Sequence, residues 1–92
     1  MKIIWSARAI SRLEAIRAFI AKNAPVTADR VIRRIILSTE RLKSFPNLGR
    51  VVPEYNIKEI RELIEAPYRV VYHVGTGRIE IINVLHSRQL LE

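Results

Sequence analysis

The chain contains no cysteine and only two histidines among its 92 residues. Without thiols it can form neither a disulfide framework nor a thiolate metal site, and His73 and His86 cannot by themselves complete an all-histidine zinc site. Aromatic residues make up only 7% of the composition, and no apolar run is long enough for a membrane span or a signal peptide. The sequence therefore predicts a cytoplasmic protein with no metal, no organic cofactor and no membrane association.

Apolar residues and positive charge are what the sequence does have, at 49% of the composition and a formal net charge of +7. We expect a single domain over residues 1–92, because this length suffices for one modest core. Residues 1–50 hold eleven basic and three acidic side chains, whereas residues 51–92 hold five and six. Such an uneven basic excess indicates nucleic acid or an acidic protein as partner, or a face that only keeps the protein in solution.

The first half of the chain has the pattern of a short strand followed by two helices. Residues 2–5 are β-prone, and Ser6 is a candidate N-cap for a helix that reaches about Lys22. Ala9, Leu13, Ile16 and Ile20 fall on one face of that helix.

A second helix is predicted from Thr27, another N-cap candidate, to Phe45, where Pro46 stops it. The short link between the two helices implies an antiparallel hairpin. Gly49 follows in a turn in which it is free to adopt a positive φ. The predicted buried stripe of the second helix consists of Ala28, Val31, Ile32, Ile35, Ile36 and Leu42.

The second half changes from helical to strand periodicity. Residues 60–65, 68–74 and 79–85 are rich in β-branched side chains, and Gly75-Thr76-Gly77 is a hairpin signal between the last two segments. The predicted order is β-α-α-β-β-β. The fold class is therefore α+β, with the N-terminal helical hairpin packed on one face of a mainly antiparallel sheet.

Four segments of this pattern resemble the ParE/RelE superfamily of plasmid-stabilisation toxins. They are G-R-V-V-P-E (Gly49 to Glu54), I-R-E-L (Ile60 to Leu63), P-Y-R-V-V-Y (Pro67 to Tyr72) and V-L-H-S-R (Val84 to Arg88). The resemblance covers nearly the whole chain. It implies the toxin of a type II toxin–antitoxin pair, closer to ParE, with a cognate acidic antitoxin as partner.

The superfamily contains two activities, and one fold carries both. RelE-like members are ribosome-dependent endoribonucleases that cut mRNA with basic residues on the sheet. ParE-like members poison DNA gyrase. This sequence departs from RelE where two lysines would fall, near Ile60 and Glu62, and where a C-terminal tyrosine would lie beyond Glu92. A third alternative is a binding module that has lost toxicity and serves only in a regulatory complex.

A ribonuclease reading would give the catalytic roles to Arg69, His86 and Arg88. The two arginines match RelE and could neutralise a phosphate, while His86 could transfer a proton. The alternative is that His86 is an ordinary residue at a strand end. Strict alternation puts His86 on the same side as Ile82 and Val84, and Arg69 with Val71 and His73, without showing which side is open.

The second helix offers a partner-binding site instead. Its candidate ridge, opposite the predicted buried stripe, consists of Arg30, Arg34, Leu37 and Arg41, with Arg33 at its border. An exposed leucine is ordinary, but a leucine among arginines is also typical of a binding hot spot. Arg61 either forms a surface ion pair, holds the fold or binds a partner's carboxylates. Tyr68 and Tyr72 share one strand face and are interpreted as core aromatics.

Taken together, these observations favour a ParE-like gyrase inhibitor that is neutralised by its antitoxin. The missing lysines and tyrosine count against a ribonuclease acting on the ribosome and mRNA. The charge distribution does so too, because the half that forms the sheet has a net charge of −1.

Overall fold

The computed structural model describes residues 1–89. A short 3₁₀ helix at Arg41–Lys43 follows the second of two α-helices, and five strands form a single sheet. The elements are, in chain order, β1 (Lys2–Trp5), α1 (Ala7–Ala21), α2 (Pro25–Glu40), β2 (Arg50–Val51), β3 (Ile60–Glu65), β4 (Tyr68–Val74) and β5 (Arg78–His86). None of the helices within residues 1–89 is long and apolar enough to cross a membrane.

The sheet has the strand order β1-β5-β4-β3-β2, with β1 parallel to β5 and every other pair antiparallel. The β4–β5 hairpin turns where the glycine signal predicted it, and Gly77 adopts a φ of 71°, which favours glycine. The predicted α+β class is therefore confirmed. The two-residue strand β2 is an addition, because its segment was predicted to be only a turn.

Helix α1 begins as predicted. The Ser6 side chain accepts a hydrogen bond from the amide of Ala9 at 3.1 Å, which caps the helix. Helix α2, in contrast, begins at Pro25 and not at Thr27, with no side-chain cap. Proline suits the first position because the amide it lacks would have no partner there. The α-helix also ends at Glu40, five residues before the predicted Phe45.

The buried stripe of α2 differs from the prediction. Ile36 is 39% exposed, whereas Ser38 and Thr39 are buried. The two hydroxyls donate hydrogen bonds at 2.7 Å to the carbonyls of Ile35 and Ile36. Because this satisfies their polar groups inside the helix, small hydroxyl side chains can face the sheet at little cost. Hydrophobicity alone could not identify them as core residues.

The main core lies between the helices and the sheet, and a smaller apolar cluster covers the opposite face, which we call the open face. Buried residues of the main core are Ala9, Ile35, Leu42, Leu63, Val70, Tyr72, Ile79, Ile81 and Val84. The cluster on the open face consists of Val52, Val71 and Leu85, against which Tyr55, Ile60 and Ile82 pack.

A β-bulge in β5 changes which residues share a face. Val71 pairs with Asn83, but the next residue, Tyr72, pairs with Ile81, so Ile82 is the additional residue. A bulge of this kind shifts the alternation of side chains by one position. Ile82 therefore packs on the open face while Val84 lies in the main core. The prediction that Ile82 and Val84 share a side was wrong for this reason.

Candidate functional site

Arg69 is the centre of an ionic cluster on the open face. Its Nε donates to Oε1 of Glu62 at 2.6 Å, and its two Nη atoms donate to the two carboxylate oxygens of Glu54 at 2.7 and 2.8 Å. Nη1 also donates to the carbonyl of Gln89 at 3.2 Å. The Arg69 side chain is only 6% exposed. The guanidinium therefore has carboxylate partners on both of its donor edges.

The cluster extends to Arg50 through Glu62. The Glu62 carboxylate is fully buried, and its second oxygen accepts a hydrogen bond from Nε of Arg50 at 2.7 Å. The pKa of Arg69 is raised above the ordinary arginine value, mainly by its hydrogen bonds to Glu54. Burial lowers this pKa, and the contact with Glu62 raises it further. Two arginines and two glutamates balance in formal charge, so the cluster as a whole is close to neutral.

His86 and Arg69, two of the three predicted catalytic residues, lie on opposite faces of the sheet. Arg69 pairs with Leu85 of the open face, whereas His86 pairs with Tyr68, which packs against the main core. The rings of Tyr68 and His86 make an edge contact with a centroid separation of 6.0 Å. Nδ1 of His86 accepts a hydrogen bond from the amide of Arg88 at 3.2 Å. Arg88 itself is exposed in the turn after β5.

Arg61 and Tyr72 hold the loop that precedes β2. The Tyr72 hydroxyl donates to the carbonyl of Pro46 at 2.8 Å and accepts from the amide of Gly49 at 2.9 Å. Arg61 donates to the carbonyl of Gly49 at 2.9 Å. This contact is compatible with a role of Arg61 in holding the fold, and binding of a partner's carboxylates stays a prediction. Burial raises the pKa of the Tyr72 hydroxyl, while the Gly49 hydrogen bond and the charge of Arg61 lower it.

Gly49 is required for a reason other than the predicted positive φ. Gly77 is the glycine of the described chain that has a positive φ. A Cβ atom at position 49 would lie 2.4 Å from the carbonyl oxygen of Glu62 and 2.8 Å from the hydroxyl of Tyr72. The close approach of two backbones, and not a turn conformation, therefore excludes a side chain here.

The predicted ridge on α2 is exposed, but its arginines are not equivalent. Arg34 is tied to the sheet: its Nε lies 3.3 Å from the Glu65 carboxylate, and its Nη2 donates to the carbonyl of Ala66 at 2.9 Å. Arg41 lies beyond the α-helix, in the 3₁₀ helix. Within residues 1–89, Arg30 and Arg33 form no ion pair or side-chain hydrogen bond, so their charges are available to a partner.

Arg30 and Arg33 line a groove on the outside of the helical hairpin. The groove has a volume of about 680 Å³ and is lined by Arg17, Val26, Asp29, Arg30, Ile32, Arg33, Ile36 and Leu37. Leu37 is 58% exposed and Val26 is 70% exposed. An ion pair between Arg17 and Asp29 joins the two helices at its edge. Apolar side chains between unpaired cations are suited to bind an acidic amphipathic protein segment.

Two acidic residues of the open face, Glu54 and Glu62, were absent from the predicted site residues. The resemblance to RelE points to Glu62 only as a position where RelE has a lysine and this chain does not. The two-residue turn at Ala66 and Pro67 fixes the β3–β4 register and so places Glu62 one diagonal step from Arg69. The turn is visible in the sequence, so the contact between Glu62 and Arg69 could have been predicted from it. No local sequence pattern predicts that Glu54, in the loop before β3, also contacts Arg69.

This arrangement defines a small, basic α+β protein whose helical layer has a groove that carries the charges of Arg30 and Arg33. The family described as the ParE toxin of the type II toxin–antitoxin system parDE matches residues 3–91. The chain therefore belongs to the ParE toxin family, within the ParE/RelE superfamily, as its motifs predicted. Membership implies a toxin of a ParDE system and a cognate antitoxin as its partner.

Two relatives are similar to this chain over nearly its whole length. The chain is 38% identical over 90 residues to a candidate toxin of Sinorhizobium fredii, Y4kP, covering 96% of this chain and 90% of that protein. It is 30% identical over 90 residues to toxin RelE2 of Caulobacter vibrioides, covering 97% and 98%.

The fold is shared with two solved structures. A chain of the chromosomal ParDE system from P. aeruginosa superposes with a TM-score of 0.79 at 22% identity, covering 94% of this chain and 95% of that one. A YoeB/ParE toxin from Agrobacterium tumefaciens superposes with a TM-score of 0.64 at 22% identity, covering 94% and 98%.

Proposed function

We propose that this toxin inhibits DNA gyrase in the cytoplasm and that an acidic antitoxin neutralises it by docking in the α2 groove. The observation that carries the choice of activity is the ionic cluster around Arg69. A ribonuclease of this superfamily needs accessible cations for the phosphate, together with groups that transfer protons, on one surface.

The contacts of Arg69 count against phosphate binding at that position. Both donor edges of its guanidinium are hydrogen-bonded to carboxylates. A phosphate approaching Arg69 would have to displace Glu54 and would still meet the buried charge of Glu62. Because like charges at short range repel strongly in a site of low dielectric, the cluster disfavours an RNA backbone.

The placement of His86 counts against catalysis in the same way. A proton donor must lie within hydrogen-bond reach of the reacting group, directly or through one water. His86 and Arg69 are separated by the sheet itself. A phosphodiester bound beside Arg69 on the open face would have the sheet between it and His86, which counts against a shared active site.

A gyrase inhibitor has different requirements, because it needs a complementary binding surface and no proton transfer of its own. The α2 groove supplies exposed apolar side chains next to the charges of Arg30 and Arg33. The same features suit the antitoxin, whose acidic residues would meet these arginines. A shared surface would also explain neutralisation, since the antitoxin would cover what the target needs.

The test measures both activities with the same purified toxin. Gyrase supercoiling and DNA cleavage are followed with and without toxin, and mRNA cleavage is followed by primer extension in a translating extract. We expect inhibited supercoiling and trapped DNA breaks, with intact mRNA, and reversal by the product of the adjacent antitoxin gene. Codon-positioned mRNA cuts with unaffected gyrase would replace this proposal with the RelE-like activity.

A further inference from the structure

The contact between Glu54 and Arg69 has the geometry of a guanidinium bound to an oxyanion. Two Nη atoms of Arg69 donate to two oxygens of one carboxylate, at 2.7 and 2.8 Å. This paired arrangement is the one that arginine also makes with phosphate, whose oxygens fit the same rigid fork of donors. Glu54 thus fills a position that another two-oxygen anion could take.

The surroundings of this contact form a pocket on the open face. Its volume is about 460 Å³, and it is lined by Arg50, Pro53, Glu54, Ile64, Arg69 and Ser87. The Glu54 side chain is 21% exposed, so it lies at the mouth of the pocket, whereas Glu62 is fully buried beneath it. Without the Glu54 carboxylate, the remaining charges of Arg50, Arg69 and Glu62 sum to one positive charge.

We propose that Glu54 is a built-in occupant of an oxyanion site centred on Arg69, and that removal of its carboxylate opens this site to phosphate. The site is closed in the native protein because Glu54 is tethered to the same chain. A tethered group competes as an intramolecular ligand, which disfavours its exchange for free phosphate. The proposal is independent of gyrase inhibition and concerns a face away from the α2 groove.

The proposal predicts which residues open and close the site. Glu54→Gln removes the charge but keeps the shape, so the Arg69 fork becomes available to an external anion. Glu54→Asp keeps the carboxylate but shortens its reach by one methylene, so it should close the site only in part. Glu59→Gln removes the same charge from an exposed position of the same loop, between β2 and β3, and should leave the site closed.

The experiment follows the Arg69 Nε–H resonance by NMR while inorganic phosphate replaces chloride at constant ionic strength. We expect a saturable shift in Glu54→Gln, with a dissociation constant at least about tenfold lower than for the wild type and Glu59→Gln. A tenfold difference in the dissociation constant is what we expect when the Glu54 carboxylate no longer competes with phosphate for Arg69. Adding Arg69→Lys to Glu54→Gln should abolish binding, because lysine has no fork of donors.

Two outcomes would overturn the proposal: no saturable shift in folded Glu54→Gln, or the same shift in Glu59→Gln. Should Glu54→Gln fail to fold cooperatively, Glu54→Asp provides the test, and it must then show weak saturable binding that the wild type lacks. A parallel titration with a short single-stranded RNA identifies the source of the phosphate. Tighter binding of RNA assigns the site to a nucleic acid backbone, and equal binding assigns it to a small phosphate.

Discussion

Arg69 and His86, although only one strand apart, project to opposite faces of the sheet. The register places Arg69 opposite Leu85 on the open face and His86 opposite Tyr68 on the side of the helices. Directly paired residues share a face of the sheet, whereas successive residues along one strand alternate between faces. His86 therefore lies on the face opposite to Leu85 and Arg69. The motif around Arg69 and the motif around His86 therefore present these two side chains on different faces of the sheet, which counts against a shared site.

The first prediction follows from this separation. His86→Ala should leave toxicity unchanged, because the histidine contributes an edge contact with Tyr68 and no shared chemistry with Arg69. The measurement is plating efficiency after induced expression without antitoxin, with soluble toxin quantified in the same cells. Primer extension on ribosome-bound mRNA runs alongside. Codon-positioned cuts that disappear in His86→Ala would contradict the prediction and support a ribonuclease.

Arg69→Ala is expected to lose toxicity for a structural reason. The substitution removes a buried cation from Glu54 and Glu62 and leaves the fully buried Glu62 carboxylate with Arg50 as its remaining cationic partner. Breaking a buried ion pair in this way typically costs about 3–5 kcal/mol. A large fall in melting temperature should therefore accompany the loss of activity. An inactive Arg69→Ala protein with wild-type stability would instead indicate a direct functional role.

The fold was predictable where local chemistry and periodicity agree. The Ser6 cap and the turn at Gly75-Thr76-Gly77 are each encoded within a few residues, so the first helix and the last hairpin lie where expected. The end of α2 was not predictable, because Leu42 continues the apolar pattern in a 3₁₀ turn. The bulge at Ile82 was not predictable either. Apolar clusters lie on both faces of the sheet, so a regular strand and a bulged strand fit the apolar sequence of β5 equally well.

The candidate site was predictable only in part. Helical periodicity predicted that Arg30, Arg33 and Leu37 are exposed, because side chains on one helix follow a fixed angular spacing. The partners of Arg69 depend on tertiary structure: Glu54 lies in a loop fifteen residues away. The tie between Arg34 and Glu65 also joins a helix to a strand, and no local pattern reports such contacts.

The third prediction concerns Leu37 in the α2 groove. Leu37→Asp should weaken antitoxin binding by about tenfold to a hundredfold, because an apolar contact is lost and a negative charge would face an acidic partner. Stability should change by less than about 0.5 kcal/mol at this exposed position. The matched control is Leu48→Asp, because Leu48 is also an exposed leucine, at 41%, and lies outside the α2 groove. Calorimetric titration with the antitoxin should show an effect at Leu37 alone, and equal losses in both variants would contradict the assignment.

The fourth prediction separates the charges of the groove from its apolar contacts. Arg30→Glu with Arg33→Glu should slow association with the antitoxin and remove most of its dependence on salt, because unpaired surface charges act mainly by steering. Stopped-flow association rates at several salt concentrations measure this. Reversal of Arg8 and Arg12 on α1 is the control with the same change in net charge. A salt dependence that falls equally in both double variants would indicate a general effect of charge and not the groove.

The fifth prediction concerns Tyr72 and the loop it holds. Tyr72→Phe deprives the Gly49 amide and the Pro46 carbonyl of their partner, so we expect a loss of about 1–3 kcal/mol at neutral pH. Burial raises the pKa of Tyr72 above its ordinary value of 10.0, so the folded state keeps its proton where the unfolded chain releases it. This contribution is therefore complete below about pH 10 and declines as the pH rises through the folded pKa. Urea unfolding between neutral pH and pH 11 should show a wild-type decline that is smaller in Tyr72→Phe. Tyr68→Phe, whose hydroxyl makes no hydrogen bond within residues 1–89, should keep the wild-type profile, and an identical profile in Tyr72→Phe would contradict the prediction.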